Sequence, residues 1–197
     1  MPWKPEEMFE VIDEKGNVLG ERQRREVHAL GLRHRGVYLI IRDRRGRVFM
    51  QQRAKDKDLM PLAWDLSVAE HLKPNESYRD ACIRGAKEEL NIKVRNLKFL
   101  GEMHFHFKYP DGKIDNELNQ IFVGQGIGAI KFSDKEVQAG KFVAVKELLE
   151  EMNEKPEKFT PWFLNLRKYV EKLTLPEPLP RHPLPGNLRK YVEKLIQ

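Results

Sequence analysis

The chain has 197 residues, 40% hydrophobic and 34% charged, which suits one domain with a sizeable core and is short for two. Its net charge of +6, from 36 Lys and Arg against 30 Asp and Glu, fits an anionic ligand such as a phosphate ester and excludes no weak nucleic-acid contact. The single cysteine, Cys82, excludes an intramolecular disulfide and a cysteine-rich metal knuckle. Residues 1–7 lack the apolar run of a signal peptide, and the longest apolar run, 37–41, is far too short to span a membrane. A cytoplasmic location without a membrane partner is the expectation.

Residues 9–13 read as a short strand, turned by Lys15, Gly16 and Asn17 into a second strand over 18–20. The apolar run at 36–42 predicts a strand buried on both faces, and Arg45 and Gly46 turn it into a partner over 48–53. Another strand is predicted over 64–69, before a loop through Lys73, Pro74 and Asn75. Ser77 and Asp80 then form a capping pattern for a helix running to Leu90, with Asn91 as its left-handed C-cap. Residues 97–109 and 113–124 flank Pro110, Asp111 and Gly112 as a second hairpin. In its first strand His104, His106 and Lys108 share one face, and Phe105, Phe107 and Tyr109 the other. Amphipathic helices are predicted over 146–152 and 159–173.

After Thr174 the composition changes to a proline-rich connector. Beyond it, residues 187–195 repeat 165–173 letter for letter, which reads as a local duplication packed on the surface or on a partner, without chemistry of its own. The organisation expected is one domain over 1–173, a connector over 174–186 and a terminal segment over 187–197.

The chemistry-bearing stretch is 70–92, EHLKPNESYRDACIRGAKEELNI. It resembles the Nudix box, G-x5-E-x7-R-E-U-x-E-E-x-G-U with U aliphatic. Glu76, Arg84, Ala86, Glu88, Glu89 and Ile92 match the pattern, while Glu70 and Asn91 replace its glycines and Gly85 replaces the glutamate that is a principal metal ligand in ordinary Nudix hydrolases. Acids at 85, 88 and 89 would share a helix face and converge on metal, since residues three and four apart are neighbours. A merely solvated face is the alternative reading of Glu88 and Glu89. An acid supplied by Gly85→Glu is expected to raise turnover, unless the glycine lets a neighbouring strand approach closely.

Residues 36–162 are also similar to the Nudix branch that includes type 1 isopentenyl-diphosphate isomerase. Residues 64–71 resemble its W-T-N-S-V-C-G-H, residues 115–118 its E-N-E-V, and residues 159–162 its F-S-P-W. The resemblance implies an α/β fold, a Nudix-type α/β/α sandwich with a mixed β-sheet. It implies a divalent metal at His28, His34, His71, Asp115 and Glu117, with Glu89 as a further metal-holding acid. Mg or Mn is expected, and the histidine cluster also admits Zn. Arg24, Arg53 and Lys57 fall at diphosphate-binding positions. Two matches fail: the catalytic cysteine of that branch is Ala69 here, and the tyrosine assisting its second acid is Phe105.

Isomerisation needs an acid and a base on opposite faces of a flat carbon skeleton, so losing the cysteine favours hydrolysis of a nucleoside or other organic diphosphate. Glu117 or Glu88 is the expected base, with Glu89 beside them. The expected partner is a small-molecule diphosphate, with no specific nucleic acid and with homodimerisation left open. A diverged isomerase and a non-catalytic diphosphate-binding module are the alternatives.

Overall fold

A computed structural model describes residues 6–57, 59–132 and 137–174. The proline-rich connector past Thr174 and the repeated terminal segment lie outside the described residues. The strands are β1 (Met8–Ile12), β2 (Val18–Gln23), β3 (His34–Arg42), β4 (Val48–Arg53) and β5 (Trp64–Asp65). They continue as β6 (Val68–His71), β7 (Lys93–Lys108), β8 (Ile114–Ile127) and β9 (Val137–Val143). The helices are α1 (Arg24–Leu30), α2 (Tyr78–Leu90), α3 (Val145–Glu154), α4 (Pro161–Asn165) and α5 (Arg167–Glu171).

The apolar run of β3 makes it the hub of one mixed sheet. It lies parallel to β8, in register from His34 beside Glu117 to Arg42 beside Gln125. On its other side it is antiparallel to β6, with Gly36 opposite His71 and Tyr38 opposite Ala69. Side chains alternate across a strand, so Val37, Leu39 and Ile41 join Ala81, Cys82, Ala86 and Leu90 of α2 in one core cluster. Tyr38 and Ile40 join Leu148, Trp162 and Phe163 in the other. Two helical layers therefore enclose the sheet, which is the α/β/α sandwich expected. No helix among the described residues is long and apolar enough to cross a membrane.

The caps of α2 fall where the sequence puts them. Ser77 Oγ accepts from Asp80 N at 3.1 Å, and Asn91 closes the helix at φ 54°. Residues 64–69 do not form one strand: β5 pairs with β4, and β6 with β3. Ser67 replaces the ladder between them, its hydroxyl accepting from Ile41 N at 2.8 Å and donating to the Phe49 carbonyl. The helix expected over 159–173 is also divided. Phe159 bridges to Trp64, Thr160 caps α4 with Pro161 in its first turn, and Leu166 separates α4 from α5. Helix α1 and strand β9 are additions to the elements read from the sequence. The first is only 7 residues long, and β9 contains the weak strand formers Ala139 and Gly140.

Candidate active site

Three imidazoles meet where α1, β3 and β6 come together. The ligand atoms of His28, His34 and His71 all lie within 4.8 Å of one another. His28 Nδ1 faces the Arg24 carbonyl at 2.7 Å, and His34 Nδ1 faces the Leu32 carbonyl at 3.0 Å. A carbonyl only accepts, so each Nδ1 carries a proton and each Nε2 is turned toward the cluster. His34 Nε2 is buried without a hydrogen-bond partner. Phe9 stacks on the His71 and His34 rings, at 4.6 and 5.3 Å between centroids, and closes one side of the cluster.

The β3–β8 register supplies the carboxylates. Asp115 Oδ1 lies 3.1 Å from His28 Nε2, and Glu117 Oε1 lies 2.9 Å from His71 Nε2 and 3.7 Å from His34 Nε2. Glu117 Oε2 accepts from Asn119 Nδ2 at 2.9 Å and from the Tyr38 hydroxyl at 3.3 Å. The Asn119 side chain lies across Gly36, where a Cβ would stand 2.2 Å from its Oδ1. Burial pushes His71 down to about 3, the charge of Arg24 adding to the effect, so its ring is neutral near pH 7. Burial also pushes Glu117 up, but the adjoining His34 and His71 outweigh this and hold its carboxyl well below the usual range. Tyr38, buried beside Glu117, is raised and keeps its proton. Three imidazoles, one unpartnered buried nitrogen among them, and two carboxylates form a donor set that fits a divalent metal ion.

The cluster opens into a cavity of about 580 Å³, lined also by Arg24, Arg53, Lys57 and Ala69. That volume suits a small organic ligand. Arg53 is held on three sides: Nε donates to the Leu59 carbonyl at 3.0 Å, Nη1 to Asp65 Oδ2 at 3.2 Å, and the guanidinium lies 5.2 Å from the Trp162 ring centre. Arg24 pairs with Glu7 at 3.3 Å.

On α2 the acids part company. Glu89 is buried and lines the cavity, with Gln51 Nε2 donating to its Oε2 at 2.9 Å. Burial first, and then the charge of Glu70, raises its pKa to about 8. Glu88, an expected base, is exposed instead and pairs with Arg84 at 3.4 Å and Lys73 at 3.6 Å, outside the cavity lining. Arg84 ties the loop and strand to the helix. It donates to both oxygens of Glu76 at 2.7 and 2.9 Å, to Glu70 at 3.1 Å and to the His71 carbonyl at 2.8 Å. Gly85 is packed onto β6, where a Cβ would meet Glu70 Cγ at 2.6 Å and Val68 Cγ1 at 2.7 Å. The exception stated for Gly85→Glu is the case met here: the glycine lets the strand approach, and an added side chain would collide with it.

Residues 32–163 match the family described as the NUDIX domain. The chain belongs to the Nudix family. It is 34% identical over 155 residues to isopentenyl-diphosphate Delta-isomerase 1 of Photorhabdus laumondii, covering 78% of this chain and 88% of that protein. It is 33% identical over 144 residues to an uncharacterised Nudix hydrolase of Streptomyces coelicolor, covering 73% and 77%. A crystal structure from Deinococcus radiodurans superposes with a TM-score of 0.67 at 19% identity, over 86% of this chain and 100% of that one, a likeness of fold.

In this Nudix chain the site also draws on Tyr38, Gln51, Asp65 and Glu70, which the sequence reading left out of the site. Tyr38 carried a signal, since it is a polar side chain within an otherwise apolar buried run. Glu70 was marked only as a departure from the box, and Gln51 and Asp65 carried no signal, because their partners come from elements distant in the chain.

Proposed function

We propose that this chain is a metal-dependent hydrolase that splits a nucleoside or other organic diphosphate, acting on a small molecule in the cytoplasm. One observation carries the reading. A single cavity combines the histidine–carboxylate cluster and the basic side chains with Ala69, a bare methyl where the isomerase branch has its proton-exchanging cysteine.

His28, His34, His71, Asp115 and Glu117 would hold Mg or Mn, and three imidazoles also suit Zn. A divalent ion, when bound, neutralises diphosphate charge and makes water a stronger acid. Arg24, Arg53 and Lys57 bind and orient the remaining phosphate charge. Asp65 and Trp162 brace Arg53, so its direction is set before substrate arrives. Glu117 accepts from His71, Tyr38 and Asn119, which suits a fixed ligand better than a base. Glu89, not the exposed Glu88, is the box acid that reaches the substrate.

Phosphate release from nucleotide, sugar and isoprenoid diphosphates, with metal and with chelator, tests the proposal. Metal-dependent release from at least one substrate is the expected result, and none from any sinks it. The relatives named as isomerases favour a second reading, a diverged isoprenoid-diphosphate enzyme. Deuterium uptake by isopentenyl diphosphate in heavy water separates the two.

A further inference from the structure

Three side-chain oxygens of residues that line the cavity lack a hydrogen-bond donor. Gln51 Oε1, Glu70 Oε1 and Glu89 Oε1 are each buried and unpartnered, on residues only 6%, 8% and 9% exposed. They arise from β4, β6 and α2, and all three residues line the cavity. The opposite atoms of these groups are engaged: Gln51 Nε2 and Glu89 Oε2 bond each other at 2.9 Å, and Glu70 Oε2 accepts from Arg84 at 3.1 Å. Buried acceptors left bare are costly. Hard oxygens without donors form the set that Mg or Mn prefers.

The departures from the box point the same way. Position 85 lacks its acid, and position 70 has an acid where the pattern has glycine. The two are in contact, because the stem of Glu70 fills the space that a side chain at 85 would need, 2.6 Å from an added Cβ. The exchange moves a carboxylate from the helix to the strand facing it.

We propose that Glu70 takes the ligand role vacated at position 85, and that Glu70 and Gln51 complete the hold on the cation expected at Glu89, apart from the histidine cluster. This rests on the metal-dependent reading above. The competing explanation is a proton shared between Glu70 and Glu89.

Mn²⁺ titration of the full chain followed by electron paramagnetic resonance, with anomalous diffraction from Mn²⁺-soaked crystals, distinguishes them. The parent is expected to bind two ions per chain. Glu70→Gln and Glu89→Gln should each weaken the same ion by about 10–100-fold and leave the histidine-cluster ion in place. His71→Asn should do the reverse. If Glu70→Gln does not fold, Glu89→Gln and the anomalous peak beside Glu70 in the parent decide the matter. An ion at the histidines alone, or two ions held equally well by Glu70→Gln, overturns this site and leaves the metal-dependent reading standing. No Mn²⁺ at either place overturns both.

Discussion

A methyl group at position 85 would lie 2.6 Å from Glu70 Cγ and 2.7 Å from Val68 Cγ1, so the strand beneath the helix dictates the glycine. Gly85→Ala is expected to cost about 1–3 kcal/mol by overpacking, although Ala favours a helix interior by roughly 1 kcal/mol. Urea unfolding measures this, and an unchanged or higher midpoint contradicts the close approach. Glu89 gives a pH signature in metal-free protein. Its pKa is about 8 in the fold against an ordinary 4.5, so between those values the native state holds a proton that the unfolded chain has lost. Stability therefore falls as pH rises from about 4.5 to 8. Glu89→Gln should remove that fall, matching the parent near pH 4 and exceeding it by about 1–3 kcal/mol near pH 8 in chelator. Parallel pH profiles for the two proteins would show that Glu89 is not held neutral. Helical spacing made Glu88 and Glu89 look equivalent, yet only Glu89 lies on the buried face with Gly85 and Ala86. Spacing names a face, and the packed sheet decides which edge of it is inside.

Asp65 joins elements that are far apart in the chain. Its Oδ1 accepts from Trp162 Nε1 at 2.7 Å, Thr160 Oγ1 at 3.0 Å and Leu66 N at 2.8 Å, while Oδ2 takes Arg53 at 3.2 Å. Burial raises its pKa, and the charge of Arg53 and these donors act against the rise. Asp65→Ala leaves Arg53 and the Thr160 and Trp162 donors without their acceptor, and should cost about 3–5 kcal/mol. Thermal denaturation tests this, and a loss under 1 kcal/mol would mean that α4 is anchored by its apolar side chains alone. The similarity of residues 64–71 and 159–162 to one family was legible in the sequence, but that one carboxylate joins the two motifs was not. The same limit applies to whole elements. Helix α2 was legible from cap to cap because its signals are local, in Ser77, Asp80 and Asn91. The division between β5 and β6 depends on Ser67 bonding to Ile41 and Phe49, partners from strands more than fifteen residues away.

At the scale of the whole molecule, the β3–β8 and β3–β6 registers carry His34, Glu117 and His71 to one end of the cavity, and α1 closes it with His28. The resemblance supplied these residues, and strand pairing supplies the reason they meet. Tyr38 stands opposite Ala69 and donates to Glu117 from a different strand than the one carrying Phe105. Tyr38→Phe is expected to lower metal affinity about 10-fold, as loss of a partner that orients a ligand does. Calorimetric titration with Mn²⁺ measures it, and equal affinities would reduce the hydroxyl to packing. In the proposed function the cavity breaks a diphosphate bond and performs no carbon chemistry. The most direct measurement is phosphorus and deuterium NMR on purified protein with Mn²⁺ or Mg²⁺ in heavy water, supplied with a panel of diphosphates that includes isopentenyl diphosphate. Metal-dependent release of phosphate from at least one substrate is expected, with no deuterium entering the isoprenoid skeleton. Steady formation of deuterated dimethylallyl diphosphate, with every diphosphate left intact, would contradict it.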